Sequence, residues 1–329
     1  MAGCAPLAAA AAAPLSYLKG HGTRAYPVVA LTWGVLIVSL LVLIVISALV
    51  AAAIWRRPGL AMPPAGATIA VSDPESGPGW LWTGVGLSSL VLLGVVVWTM
   101  AVLARVTSPG AAAPLTIEVT GHQWWWQVRY LSADPARIFT TADEIRIPTG
   151  VPVKIRLIGG DVIHSFWVPA LTGKTDLIPG QTNETWMEAS RPGIYRGQCT
   201  EYCGIEHAHM GFVVVAQKPA EFEAWRARQL QSPAPPATPA AQAGLQSFVM
   251  HCGACHAVRG TDAGGALGPD LSHIATRVTL AAGVLANTPG NRARWIADPQ
   301  SVKPGALMQK PELTKAELGR IDAYLATLN

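Results

Sequence analysis

The sequence predicts a membrane-anchored chain of three structural classes in series: a transmembrane α-helical hairpin, an all-β module and a small all-α module. Three observations carry this. Two long runs lack any charged residue, short alternating runs punctuated by Gly and Pro follow them, and a helical period returns near the C-terminus. The composition agrees. Of 329 residues, 50% are hydrophobic and only 13% are charged, against roughly 25% charged in soluble domains. Such a chain is too apolar to be disordered. A net charge of +4 sets up no strong basic field, so no nucleic-acid partner is expected.

Residues 1–27 form an N-terminal segment with an Ala-rich tract. Residues 28–54 (VVALTWGVLIVSLLVLIVISALVAAAI) and 80–103 (WLWTGVGLSSLVLLGVVVWTMAVL) then run without a charge. About 20 apolar residues cross a bilayer core, whereas buried core helices seldom hold so long an apolar run. Residues 28–108 therefore read as a two-helix hairpin. Lys19, Arg24, Arg56, Arg57 and Arg105 flank the spans so evenly that charge alone does not orient them. Ala2-Gly3-Cys4 resembles the end of a lipoprotein signal without the apolar stretch that should precede it. A start site annotated too late and a stray cysteine both remain open.

From residue 110 the texture changes. Leu115, Ile117 and Val119 alternate with polar neighbours, as do Val153, Ile155 and Leu157, and residues 212–216 form a short apolar run. Several short strands at this spacing predict a β-sandwich or barrel, closed by a helix at about 222–229. Residues 230–243, rich in Pro and Ala, read as a semi-rigid linker. Beyond it, Thr314 and Glu317 form a capping box opening a helix with Leu318, Ile321, Leu325 and Leu328 on one face. The expected domains are 110–229, the 230–243 linker and 244–329.

The cysteines carry the chemistry. Cys252-Gly253-Ala254-Cys255-His256 is the C-x-x-C-H pattern of covalent haem c attachment, in which two thiols add to the haem vinyl groups and the histidine meets the iron. A redox CxxC pair or half a zinc site competes, without a second ligand pair to support it. Met308, in a Pro/Gly loop before the last helix, is placed to be the sixth ligand, since a Met/His pair raises the potential. Met100 and Met250 are worse placed. Residues 268–271 are expected to wall the haem's other face, and His251 and His273 to be surface or supporting residues.

The run from Cys199 to Met210 (CTEYCGIEHAHM) packs five soft or borderline ligands, and His164 supplies a distant imidazole. Thiolate, imidazole and thioether together select copper. Two thiolates four residues apart suit two bridged coppers, each completed by one imidazole. A Cys199–Cys203 disulfide and a structural zinc site compete, but neither needs the methionine. His209 lies between ligands and is expected to face solvent.

These motifs carry a resemblance. Residues 244–329 look like a class I bacterial cytochrome c. The pattern C-x-E-x-C-G-x-x-H-x-x-M resembles the dinuclear CuA site of cytochrome c oxidase subunit II. Gly121-His122-Gln123-Trp124-Trp125-Trp126, residues 161–169 (DVIHSFWVP) and residues 174–180 (KTDLIPG) extend the likeness, as does the hairpin. With the fused haem domain, the chain is similar to subunit II of the caa3-type oxidases.

The resemblance implies a cupredoxin-like β-domain and a class I cytochrome c domain. It implies Cys199 and Cys203 as bridging thiolates and His164 and His207 as terminal imidazoles. Met210 and the main-chain carbonyl of Glu201 would be weak axial ligands. The Glu201 carboxylate would face a magnesium or manganese ion shared with subunit I, and Trp124 would lie at the electron-entry surface. Trp124 as a buried core residue is the competing reading. Trp125 stands where the family often has Tyr or Phe. Asp73 and Glu75 are the only acidic residues near the second span, and no proton role is assigned to them.

The implied protein is the electron-entry subunit of a proton-translocating cytochrome c oxidase. A donor, cytochrome c or the cytochrome bc1 complex, would reduce the haem. The electron would pass to CuA and then to haem a and CuB of subunit I, where oxygen is reduced to water. The other oxidase subunits and the membrane complete its partners. The implied location is a bacterial inner (cytoplasmic) membrane, crossed twice, with both soluble domains on the periplasmic side and the Arg56–Arg57 loop in the cytoplasm. A CuA subunit of a nitric oxide reductase shares the ligands and stays open at this level. A membrane-anchored copper carrier is the alternative of a different class.

Overall fold

The computed structural model describes residues 15–56, 79–109 and 112–329. Cys4, Arg57, Asp73 and Glu75 lie outside the described residues. The chain divides into two compact units, one of residues 27–108 and one of residues 1–26 with 109–329.

The first unit is built on α1 (Ala25–Trp55) and α2 (Gly79–Val106). At 1.5 Å per residue they are about 46 and 42 Å long, enough for a hydrocarbon core of about 30 Å. Protein covers none of the most apolar stretch of α1 and little of α2, which in water would be a large uncompensated apolar surface. Thr32, Thr83, Ser88 and Thr99 each donate their hydroxyl to the carbonyl one turn back, at 2.8–2.9 Å. Polar atoms in apolar helices are thereby satisfied without water. A Cβ on Gly34 would sit 2.3 Å from the Trp98 ring, so only glycine lets the two helices approach there.

The second unit holds both soluble modules. The β-module comprises β1 (Leu115–His122), β2 (Trp125–Leu131), β3 (Phe139–Ala142), β4 (Glu144–Pro148), β5 (Val153–Gly159) and β6 (His164–Trp167). It continues with β7 (Thr175–Leu177), β8 (Thr182–Met187), β9 (Gly193–Cys199) and β10 (Gly211–Gln217), and α3 (Pro219–Gln229) closes it. The strands form two five-stranded sheets, β3-β2-β1-β5-β8 and β4-β10-β9-β6-β7. Alternation along β1 and β5 buries Leu115, Ile117, Val119, Val153, Ile155 and Leu157, as the sequence period requires. These meet Trp126, Tyr130, Phe166, Phe212 and Val214 in one core. The sandwich matches the cupredoxin-like expectation.

β10 behaves differently, because every residue in it is buried. Its inner face joins the core, and its outer Val213 and Val215 pack with Ile194 beneath Val278 of the helical module. A continuous apolar run is the mark of a strand covered on both faces.

Residues before α1 also pack on the β-module. His21 donates its amide to the Ala170 carbonyl at 2.7 Å and accepts from Ser190 N–H at 2.8 Å. Arg24 reaches the Thr172 hydroxyl and the Trp186 carbonyl, each at 2.9 Å.

The helical module contains α4 (Pro239–Cys252), a hairpin of β11 (Thr279–Leu280) and β12 (Leu285–Ala286), then α5 (Pro289–Ala297), α6 (Pro299–Val302) and α7 (Lys315–Leu325). The capping box at Thr314 and Glu317 forms as the sequence predicts. Ile321, Tyr324, Leu325 and Leu328 bury against Phe248, Ile274 and Ile296. The 230–243 stretch is not a free tether. α4 begins inside it, with Thr238 capping the helix through Ala241 N–H. Arg259 donates to the Gln229 and Leu230 carbonyls at 3.1 and 2.7 Å.

Candidate metal and haem centres

Strand pairing brings the candidate copper ligands together. β6 and β9 run antiparallel with Phe166 opposite Cys199, and Thr200 N–H bonds the Ser165 carbonyl at 3.1 Å. His164 therefore lies beside the end of β9. The 200–210 loop then returns to β10, and Cys199 N–H bonds the Met210 carbonyl at 3.0 Å, closing it at its base. Gly204 turns the loop at φ 123°, and a Cβ there would lie 2.7 Å from the Trp124 ring. That conformation and that space both demand glycine.

His164, Cys199 and Cys203 form one buried cluster with their ligand atoms within 4.8 Å of each other. The two sulfurs are 3.8 Å apart, too far for a disulfide bond of about 2.05 Å, and both cysteines are free thiols. Cys199 Sγ lies 3.9 Å from His164 Nδ1 and 3.3 Å from the Glu201 carbonyl. Cys203 Sγ lies 3.6 Å from His207 Nδ1 and 3.7 Å from Met210 Sδ. Every ligand that the resemblance implied is thus present around two thiols, with one imidazole nitrogen beside each. This donor set is soft, includes a thioether and contains more partners than the four that one closed zinc site uses. The residues fit a pair of copper ions.

The electrostatics favour a thiolate at Cys199. The contact with Cys203 holds the Cys199 thiol well below its ordinary range, and the same contact together with burial pushes Cys203 up. Burial opposes charge on His164, but its bonds to Cys199 and Asp161 outweigh that and raise its pKa.

Asp161 is the residue that motif reading passed over. Its Oδ1 accepts from His164 Nε2 at 2.8 Å, which leaves Nδ1 as the free lone pair facing Cys199. The carboxylate is itself fixed by the amides of Gln123 and Val162, each at 2.6 Å. A carboxylate behind a ligating histidine sets its tautomer and orientation. The signal was the i,i+3 spacing from Asp161 to His164. Asp161→Asn is expected to lower copper affinity about 10–100-fold, measured by chelator competition. Unchanged affinity would show that the carboxylate does not orient the ring.

Trp124 is half-buried at the edge of this site, and neither core nor free surface describes it. Its indole Nε1 donates to the Cys203 carbonyl at 3.0 Å, and Gln123 Nε2 donates to the same oxygen at 2.7 Å. Glu201 turns its carboxylate away from the thiols, to 3.6 Å from Lys174 Nζ. His209 is exposed beside Glu206, as expected.

In the helical module, Cys252 ends α4 and Cys255 and His256 follow in a turn, with His256 N–H bonding the Cys252 carbonyl at 2.9 Å. Burial pushes the Cys252 thiol up to about 11. Burial also lowers the His256 pKa and keeps its imidazole neutral, as a ligand must be. His256 Nδ1 donates to the Pro269 carbonyl at 2.8 Å, which frees Nε2 for iron.

Residues 268–271 pack on the imidazole itself, because Gly268 N–H returns to the Cys255 carbonyl at 2.8 Å and folds the loop behind His256. Of the two roles left open for His273, the buried supporting one holds. It is 7% exposed and bonds the Asn329 and Gln231 carbonyls at 2.7 and 3.2 Å, tying the linker to the C-terminus. Met308 is half-buried on the loop between α6 and α7. Gln300 fastens that loop through the Ala306 and Met308 carbonyls at 2.8 and 3.0 Å. Two thiols, a neutral imidazole with its outer nitrogen tied back and a thioether loop fit a covalently held haem.

Comparison with known proteins agrees with this chemistry. Residues 129–217 match the family described as cytochrome C oxidase subunit II, periplasmic domain, and residues 241–329 match cytochrome c. Cytochrome c oxidase subunit 2 of Alkalihalophilus pseudofirmus is 38% identical over 252 residues, spanning 75% of this chain and 72% of that protein. The subunit 2 of Bacillus sp. strain PS3 is 31% identical over 265 residues, 75% of this chain and 73% of that one. The solved periplasmic domain of subunit II of cytochrome oxidase from Bradyrhizobium japonicum is 33% identical. It covers 36% of this chain and 95% of its own, with a TM-score of 0.34. With a relative 38% identical over 75% of this chain and 72% of its own length, and with matches to the subunit II periplasmic domain and to cytochrome c in series, the chain belongs to the cytochrome c oxidase subunit II family.

Proposed function

We propose that this chain is the electron-entry subunit of a proton-translocating haem-copper oxidase, carrying a covalent haem c and a dinuclear copper centre. The observation that carries the reading is the pair of sulfurs 3.8 Å apart, each beside its own imidazole nitrogen, in one compact unit with the C-x-x-C-H turn. Cys252 and Cys255 hold the haem, and His256 and Met308 ligate it. Cys199, Cys203, His164, His207, Met210 and the Glu201 carbonyl would hold the two coppers. When bound, these groups supply reversible one-electron transfer.

The chain's own residues supply the rest. Asp161 fixes the His164 ring, so the site is ordered before any change of charge. Trp126, 1% exposed, donates its indole N–H to the Met210 carbonyl at 3.4 Å and packs edge-on against Phe166 and Phe212. Water is kept from the sulfurs, and rearrangement is small. Trp124, bonded to the Cys203 carbonyl, links the site to the surface. The Glu201 carboxylate points outward, where a magnesium or manganese ion shared with subunit I would meet it. Haem a and CuB belong to that partner, which reduces oxygen and moves protons.

Topology follows from chain connectivity. His21 and Arg24, just before α1, bond the same module that begins just after α2. Both ends of the hairpin therefore leave the membrane on one side. With haem attached outside the cytoplasm, that side is the periplasm of a bacterial inner membrane.

The test uses the full chain, purified in detergent from a haem-maturing host and loaded with copper. Two coppers sharing one unpaired electron, one low-spin haem per chain and co-purification with an oxygen-reducing subunit I are expected. One copper, or zinc, would overturn the copper assignment. A nitric-oxide-reducing partner would overturn the reaction.

A further inference from the structure

We propose that Gln123 is a positioning residue that sets the two halves of the copper centre against each other. Its main-chain N–H holds the His164 half and its side chain holds the Cys203 half. This rests on the copper assignment proposed above.

The candidate ligands begin β6, end β9 or lie in the loop from β9 to β10, so all belong to one sheet. Gln123 comes from the other sheet. It stands with Trp124 in the two-residue turn between β1 and β2. His122 pairs with Trp125 across the base of that turn, and their rings stack with centroids 4.8 Å apart. The register of the turn is fixed by this pairing.

The turn touches both halves of the site. On one side, the His164 ring lies so close to β1 that a Cβ on Gly121 would meet it at 2.8 Å. Gly160 N–H bonds the Gly121 carbonyl at 2.9 Å, which brings Asp161 beside the turn. Gln123 N–H then donates to Asp161 Oδ2 at 2.6 Å, while Oδ1 of the same carboxylate takes His164 Nε2 at 2.8 Å.

On the other side, Gln123 Nε2 donates to the Cys203 carbonyl at 2.7 Å. A carbonyl only accepts, so the amide nitrogen is the atom that faces it. Trp124 Nε1 fills the second lone pair of that oxygen at 3.0 Å. The peptide that follows is pressed against the turn. A Cβ on Gly204 would lie 2.7 Å from the Trp124 ring and 3.1 Å from Gln123 Nε2. Lys303, 3% exposed, donates its ammonium to the Trp124 carbonyl and holds the turn from its main chain.

His164 stands beside Cys199 and His207 beside Cys203, at 3.9 and 3.6 Å. Even sharing of one electron between two coppers requires matched surroundings on the two sides. Substitution of Gln123 leaves its main-chain N–H on Asp161 and frees the Cys203 carbonyl alone. Trp124 does not take over, because its N–H already occupies its own lone pair. The disturbance therefore falls on Cys203 and His207 and unbalances the pair.

The experiment compares Gln123→Leu and Gln123→Glu with the parent, as full chains purified in detergent from a haem-maturing host. Both keep the size of the side chain. Leucine has no donor, and a glutamate carboxylate sets an acceptor against the Cys203 carbonyl. Each variant should bind copper at least about tenfold more weakly by chelator competition and show a copper hyperfine pattern unequal between the two nuclei. In the metal-free chains, exchange of the His207 and His209 amides, which bond the Gly204 and Glu206 carbonyls, should quicken about tenfold. Protection of β1 and β5 should stay unchanged, which shows that the sandwich is still folded. Parent-like affinity and an even hyperfine pattern in Gln123→Glu would overturn the proposal, whatever Gln123→Leu does, because shape alone would then suffice. If both variants unfold the sandwich, the Gln123 amide of the metal-free parent decides. Slow exchange there supports the brace to Asp161, and fast exchange overturns it. A parent chain that takes up one copper, or zinc, would instead defeat the function proposed above and leave the metal-free exchange readouts as they are.

Discussion

Cys203→Ser is expected to reduce copper from two ions per chain to at most one and to abolish electron sharing between two nuclei. The Cys203 sulfur is the common neighbour in the site, 3.8 Å from Cys199 Sγ, 3.6 Å from His207 Nδ1 and 3.7 Å from Met210 Sδ. A serine oxygen is a harder donor, unsuited to the soft cuprous state, and it cannot bridge as a thiolate does. Metal analysis and the copper hyperfine pattern measure the change, while haem absorption at Cys252, Cys255 and His256 should be unaltered. A variant that still held two coppers sharing one electron would remove Cys203 from the site. Cys203 is 3% exposed and serine nearly matches its volume, so a folding defect is not the expected cause.

Trp126→Ala should produce the largest loss of stability. The ring is fully enclosed and packs edge-on to Phe212 and Phe166, at 5.2 and 6.1 Å between centroids. It also lies 6.0 Å from the His164 ring. Removing a buried aromatic ring of this kind costs about 3–5 kcal/mol through lost burial and the cavity left behind. Exchange of amides in β2, β6 and β10 should quicken on the order of a hundredfold or more, and copper binding should weaken as His164 and Met210 lose their support. Trp126→Phe should lose much less, because most of the packing survives. An alanine variant with unchanged exchange would show that the core closes over the gap.

The copper and haem ligands were legible in sequence because metal chemistry is local. Cys199, Cys203, His207 and Met210 lie within twelve residues, and Cys252, Cys255 and His256 within five. Donor type and spacing then restrict the metal with no knowledge of the fold. Alternation in β1 and β5 and the capping box at Thr314 were legible for a like reason, since each depends only on neighbours along the chain. Less was legible where the chain folds back on itself. That residues 268–271 pack behind His256, and that His273 is buried between the linker and the C-terminus, needed the fold.

Asp161 lies between these cases. It stands three residues from His164, yet nothing in the sequence says that its carboxylate reaches Nε2 rather than solvent. The strand pairing that presents His164 to Cys199 makes that bond possible. Lys303 gave no signal at all, since a lysine in a Pro/Gly loop ordinarily faces water.

What the sequence determined by itself was the order of modules, the apolar length of the two helices and nearly every candidate ligand. All of these follow from composition, period or spacing over short distances. Only the tertiary structure decided how the 230–243 stretch is held, where the outer face of β10 finds its cover, and what lies over Trp124. Those outcomes join residues about 30 to 180 positions apart, such as Arg259 with Leu230, Val278 with Val213 and Lys303 with Trp124. Buried charges find partners and apolar strand faces find cover only when the whole chain is folded.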